Sequence, residues 1–299
     1  MHDSHPLPGT DVLAAGLRVH VVRHGASTHD GQPGLPLVLL HGMPTSSYLW
    51  HDVMRDLERS HPMVAPDLLG FGRSERPARR ERYALEAQAR LMLQVLDELG
   101  LQRAVLVGHD LGGAVAVHMT ELAPELVAGL VLCHSPLHPG TWPSPPVLPL
   151  MVPGLRHAYV RVLQQFPQLA GRLIARAMRA ECEPAELRHY VNPLLGSEGG
   201  RGLLDFVNAI DLETAALAWA EVRTIAPPTL VLWGADNHLL SAAYGRRLAL
   251  DVPGAAWVPI SGGGQLLPQD RPERVAEEIA AFAAELAPAV VDLATDVKA

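Results

Sequence analysis

The feature that most constrains this chain is six residues long. Gly108-His109-Asp110-Leu111-Gly112-Gly113 follows the apolar run Ala104-Val105-Leu106-Val107 and precedes a helical segment from Ala114 to Leu122. A carboxylate therefore sits on a turn between a buried strand and a helix. The small residues two before it, and two and three after it, let the backbone bend tightly and the helix pack close. The start of that helix and the Leu111 N–H favour negative charge beside the side chain. A capped, buried Asp in a Gly-rich turn is the plainer reading, and the strand-to-helix setting argues against it.

The rest of the chain alternates in the same way. A hairpin opens it, with Val12-Leu13 and Leu17 to Val22 joined across Gly16. Leu35 to Leu40 is a near-continuous apolar run, as expected of a strand buried on both faces. A helix capped by Ser46-Ser47 is expected to run to about Arg59, followed by a strand at Met63-Val64-Ala65 and a helix from Tyr83 to Leu99. After the turn, Leu130 to Cys133 reads as a strand. The alternation then stops from Pro136 to about Glu221, where helical patterns follow a Pro-rich entry. It resumes with strands at Thr229 to Trp233 and Trp257 to Ile260 and closes with a helix from Pro272 to about Leu286. Such alternation predicts a mostly parallel sheet wrapped on both faces, with the insertion as a lid over the strand ends. The expected division is a core of 1–135 and 222–290, a helical cap of 136–221 and a loose tail of 291–299.

Composition narrows the function classes. The 299 residues are 48% apolar and 19% charged, too apolar and too sparsely charged for disorder. The apolar stretch from Val147 to Val152 is cut by Pro146, Pro149 and Pro153 and falls short of the roughly 18 residues a membrane span needs. The formal charge of −8 argues against nucleic acid and polyanionic substrates. Cys133 and Cys182 make no disulfide framework and lack metal-site spacing, and no metal or other cofactor is expected. Met1 to Pro6 shows no basic or apolar leader, so a cytoplasmic setting is expected. Lys298 is the only lysine beside 23 arginines, a bias read as codon usage.

A second motif, His41-Gly42-Met43-Pro44-Thr45-Ser46-Ser47-Tyr48-Leu49-Trp50, follows the strand at Leu35 to Leu40. Backbone N–H groups of Met43 and Leu111 are expected to converge as an oxyanion site. With Asp67-Leu68-Leu69-Gly70-Phe71-Gly72-Arg73-Ser74 and the Gly108–Gly113 turn, these motifs resemble the α/β-hydrolase superfamily, in its epoxide hydrolase and haloalkane dehalogenase branch. The resemblance covers about Val12 to Leu286 and implies an eight-stranded, mostly parallel sheet with a helical cap. It also implies that Asp110 attacks a saturated carbon, giving an ester that a histidine paired with an acid then hydrolyses. His41, Met43, Leu111 and Trp50 fall at the oxyanion and substrate end of that scheme.

The departures are as informative. In Ser261 to Pro272, Gln265 stands where the resemblance places the histidine, and a Gln cannot accept and return a proton near neutral pH. In Gly234-Ala235-Asp236-Asn237, Asn237 stands at the acid position, with Asp236 serving only if the loop shifts by one. The dehalogenase halide cradle would have Asn at Met43 and Trp at Leu111. Fluoroacetate-type relatives would have Arg at Leu111. Val207 replaces an epoxide hydrolase lid tyrosine, and Tyr159 and Tyr190 are the remaining hydroxyl donors in the insertion, against packing on helix faces. His134, at the end of the next strand, is a candidate substitute base, with His109 and His238 weaker ones; a structural role is the alternative for each. These residues point to a hydrolase-derived enzyme acting on a small hydrophobic substrate with an impaired relay. The alternatives are a degenerate binding protein or a non-hydrolytic lyase, cyclase or isomerase.

Overall fold

The computed structural model describes residues 6–25, 34–137, 146–210, 220 and 222–286. The expected tail, the first five residues and parts of the insertion lie outside these residues. Eight strands form one sheet: β1 (Gly9–Ala14), β2 (Leu17–His24), β3 (Leu37–Leu40), β4 (Met63–Pro66), β5 (Ala104–His109), β6 (Val127–Cys133), β7 (Thr229–Gly234) and β8 (Ala256–Ile260). Their order is β1-β2-β4-β3-β5-β6-β7-β8. β2 pairs antiparallel with β1 and with β4, and the other pairings are parallel. The mostly parallel eight-stranded sheet expected from the sequence is therefore present.

Burial explains the strand sequences. Every residue of β3, β5, β6 and β7 is buried, so these strands read as continuous apolar runs. Alternate side chains enter two clusters, one on each face: Val38, Leu40 and Leu106 on one side, Leu37, Leu39, Val105 and Val107 on the other. The edge strand β8 is half exposed and carries Pro259, whose missing N–H a central strand would not tolerate.

From β3 the chain steps to β4 on one side and then to β5 on the other. The strand order reverses at this point, and in open α/β sheets such a switch point, beyond the carboxyl ends of the strands, is where ligands bind. The motifs beginning at His41 and Gly108 both sit at these ends. After β5, α3 (Leu111–Leu122) packs so closely that the turn tolerates only glycine. A Cβ on Gly108 would overlap the Gly113 backbone, and one on Gly113 would overlap the Ser135 side chain.

Two helices differ from expectation. The segment after Ser46 is a 3-10 turn, Ser47–Trp50, followed by α1 (His51–Asp56), and it stops short of Arg59. The sequence reading assigns no helix between β7 and β8, yet a helix spans Ala242–Asp251, capped by the Ser241 hydroxyl. Only Gly245 and Leu248 of it are buried, which leaves little apolar periodicity to read. The helix α2 (Leu85–Glu98) lies within its predicted span, and the last helix, Pro272–Leu286, matches its prediction.

Between β6 and β7 the described residues form helices and no strand. They are α4 (Leu148–Met151), α5 (Pro153–Gln165), α6 (Pro167–Ala177), α7 (Pro184–Val191) and α8 (Gly196–Ala209). Proline opens α5, α6 and α7, where its missing N–H has no intrahelical partner to lose. Leu150, Leu203, Phe206 and Val207 extend one core cluster from the sheet into these helices. Phe206 meets Phe71 edge to face at 4.8 Å.

The glycine packing gives a direct stability test. Gly108→Ala should lower the unfolding free energy in urea by about 1–3 kcal/mol. Gly154→Ala, whose Cβ has no neighbour within 4 Å, should not lower it. Equal stabilities of the two variants would contradict the close approach of β5 and α3.

Candidate active site

Asp110 follows β5 directly with φ 51° and ψ −124°, a strained backbone for any residue with a Cβ. Its N–H donates to the Cys133 carbonyl at 2.9 Å, and its own carbonyl accepts from Gly113 N–H at 3.0 Å. The carboxylate accepts from Met43 N–H at 3.0 Å and from Leu111 N–H. The two amides that the sequence assigns to an oxyanion site therefore converge on Asp110. Gly42 makes this possible, because a Cβ there would collide with the Asp110 side chain. Burial pushes the Asp110 carboxyl up to about 6, and the two backbone hydrogen bonds hold it from rising further.

Both ring nitrogens of His41 are engaged in holding the loop that carries Met43. It is fully buried, and its Nε2 accepts from Leu68 N–H at 2.9 Å. The opposite nitrogen must then carry the proton and donate to the Gly42 carbonyl at 2.9 Å. Asp67 performs the matching task for the neighbouring loops, accepting from Ser47 N–H at 2.7 Å and Arg73 N–H at 2.8 Å. The motif Asp67–Ser74 was legible in the sequence, but this bracing role was not.

Asn237 and Gln265 form a pair. Asn237 Nδ2 donates to Gln265 Oε1 at 2.8 Å. Asn237 Oδ1 accepts from Leu239 N–H at 2.9 Å and Leu240 N–H at 3.1 Å, which fixes the orientation of the amide. The loop is not shifted by one residue. Asp236 instead accepts from Gly262 N–H at 2.6 Å, on the exposed side.

Of the candidate substitute bases, His134 has both ring nitrogens engaged, while His109 keeps a buried, unpartnered Nδ1. The Gln265 carbonyl accepts from His109 Nε2 at 2.8 Å and from His134 Nδ1 at 2.9 Å. His134 Nε2 accepts from Gly234 N–H at 2.7 Å, so neither of its ring nitrogens has a free lone pair. Burial lowers His109 to about 4 and His134 to about 3, and both are neutral at pH 7. His238 is exposed on its loop. His109, Cys133 and His134 lie close enough to suggest a metal cluster. As folded, however, only His109 Nδ1 and a thiol that burial keeps protonated remain unengaged there.

The remaining candidates fall elsewhere. Trp50 is fully buried in the core cluster behind the sheet, with its ring edge-on to His109 at 6.5 Å; it is a core residue. The Tyr159 hydroxyl donates to the Pro146 carbonyl at 2.7 Å. Tyr190 is buried, and its hydroxyl donates to Gln269 Oε1 at 2.7 Å. Both hydroxyls are therefore committed as donors. Two clefts of about 280 Å³ open away from Asp110, one beside Tyr48 and His51 and one beside Arg80 and α5. Met43 and Leu111 lie at the edge of the apolar cluster that reaches into α8.

Comparison with known proteins identifies the family and the fold. A haloalkane dehalogenase of Psychrobacter cryohalolentis is 27% identical over 292 residues, covering 94% of this chain and 92% of its own. Epoxide hydrolase 4 of Mus musculus is 36% identical over 129 residues, 43% of this chain and 34% of its own. The crystal structure of haloalkane dehalogenase DbeA from Bradyrhizobium elkani superposes with a TM-score of 0.80 at 23% identity, covering 94% of this chain and 99% of that one, which establishes the shared fold. The model of the alpha/beta hydrolase fold family matches residues 36–272. The chain belongs to the α/β-hydrolase fold family.

Proposed function

We propose that this protein uses Asp110 as a nucleophile on a small hydrophobic substrate, with α4–α8 as the cap, and that the reaction stalls at the covalent ester. The observation that carries this reading is the carboxylate on a strained turn, gripped by the Met43 and Leu111 amides, beside an Asn237–Gln265 pair. In the first step a carboxylate oxygen forms a bond to a saturated carbon while the carbon–halogen or epoxide carbon–oxygen bond breaks. A halide leaves with its electron pair and needs no proton. An epoxide oxygen needs one, and the Tyr159 and Tyr190 hydroxyls already donate elsewhere. This favours a substrate whose leaving group departs unprotonated. The apolar residues around Met43, Leu111 and Phe206 favour an uncharged, hydrophobic one.

Hydrolysis of the ester requires a base to take a proton from water. Gln265 is an amide whose oxygen is already engaged by Asn237. His109 and His134 hold the Gln265 backbone instead. The unengaged imidazole nitrogen among them, His109 Nδ1, is buried and its ring is a weak base held down to about 4, so water attacks slowly and the alkylated protein accumulates.

Intact-mass spectrometry with a panel of bromoalkanes and epoxides is expected to show one adduct, absent in Asp110→Ala. Only the ionised carboxyl attacks, so the adduct should form about tenfold more slowly at pH 5 than above pH 7, with a midpoint near the raised value of about 6. A rate independent of pH would contradict Asp110 as the nucleophile. The double variant Asn237→Asp/Gln265→His is expected to release alcohol over many turnovers, because a carboxylate in place of the Asn237 amide would accept the same two backbone N–H groups and orient the new imidazole. Absence of any adduct, together with an inactive double variant, would leave a ligand-binding protein in this fold.

A further inference from the structure

The inserted helices carry a surface that the chemistry at Asp110 does not use. Among the described residues, eight large apolar side chains are exposed, and six of them lie between Leu148 and Leu169. Leu155, Val162 and Phe166 are spaced by seven and four residues and form a stripe along one face of α5 and its C-terminal cap. Leu155 is 54% and Phe166 51% exposed, too much for a side chain packed against its own protein. The next helix, α6, presents Leu169, Arg172 and Arg176 at spacings of three and four, all in contact with solvent.

Charge sets this surface apart from the rest of the molecule. The chain carries a formal −8, yet residues 126–180 contain no Asp or Glu and five arginines. Arg156 is buried and bonds Asn208. Arg161, Arg172, Arg176 and Arg179 are exposed. A cleft of about 280 Å³ between α5 and α8, lined by Arg80, His157, Arg161, Arg201 and Asp205, opens on the side of α5 turned away from the apolar stripe. Arg201 is paired with Glu198 and Asp205, which leaves Arg80 and Arg161 as the cleft's available cations.

We propose that the α5–α6 surface docks on an anionic lipid bilayer, with Leu155, Val162 and Phe166 entering the headgroup boundary and the arginines meeting lipid phosphates. Protruding apolar side chains bordered by arginine are the pattern of an interfacial helix, and each basic residue near an anionic surface adds to the attraction. A second copy of the chain is a poorer occupant, because two such faces would bring their arginines together. No described helix is long and apolar enough to cross a membrane, so the association is one of surface contact. This inference stands apart from the reading of Asp110, since neither requires the other.

The test is flotation of the full chain with phosphatidylcholine vesicles, with and without phosphatidylglycerol. The chain should float with the phosphatidylglycerol vesicles, and the association should weaken on raising the salt. Leu155→Glu/Phe166→Glu and, separately, Arg161→Glu/Arg172→Glu should each reduce vesicle binding by about tenfold or more. Both variants alter exposed positions, so their melting temperatures and their alkylation by a bromoalkane should match the parent. Failure to bind anionic vesicles at low salt would overturn the proposal. So would binding that neither variant reduces, or a dimer in solution that Leu155→Glu/Phe166→Glu dissolves.

Discussion

The backbone of Gln265 is the point on which the arrangement of the site depends. Its N–H donates to the Ala177 carbonyl at 2.8 Å, which fastens it to the end of α6. Its carbonyl takes hydrogen bonds from His109 at the end of β5 and from His134 just beyond β6. Its side-chain oxygen accepts a hydrogen bond from the Asn237 amide in the loop after β7. One residue thus ties three neighbouring strand ends to the inserted helices. Nearby, Asp270 accepts from Arg179, Ala180 and Gly264 N–H groups and braces the same junction.

The electrostatics follow from these bonds. A carbonyl that accepts two imidazole N–H groups needs both rings as donors there, and burial keeps both neutral. No cation within this cluster lowers the Asp110 carboxyl, so desolvation prevails over its two backbone hydrogen bonds and the group rises to about 6. Gln265 carries an amide side chain, and His109 and His134 both donate to its backbone carbonyl. The chain has 15 histidines, and two of those near Asp110, His109 and His134, hold the loop at Gln265.

Much of this was legible in the sequence, for identifiable physical reasons. The strands β3, β5, β6 and β7 announced themselves because burial on both faces leaves no room for polar residues. The turn at Asp110 was legible because a Cβ at Gly108 or Gly113 would overlap the neighbouring backbone or the Ser135 side chain, which forces glycine there. The convergence of Met43 and Leu111 followed from their places after two strands that turn out to be neighbours. What remained hidden depended on tertiary partners. His134 looked like a spare base, since nothing in its local sequence reveals that Gly234 and Gln265 occupy both its nitrogens. Trp50 belonged to a substrate-end motif, yet the turn from Ser47 to Trp50 aims it into the core. The helix at Ala242–Asp251 buries too thin a face to leave a periodic signal.

The proposed reading, in which Asp110 attacks and no base follows, makes one demand on chemistry: the covalent state must outlast the reagent that forms it. The most direct measurement is the lifetime of the alkyl ester on Asp110. After a bromoalkane is removed by desalting at pH 7, peptide-level mass spectrometry should find the ester still on Asp110 long after a turnover enzyme of typical rate would have cleared it. Loss of the adduct within seconds, with release of the corresponding alcohol, would show that a working base exists in this site and would contradict a stalled ester.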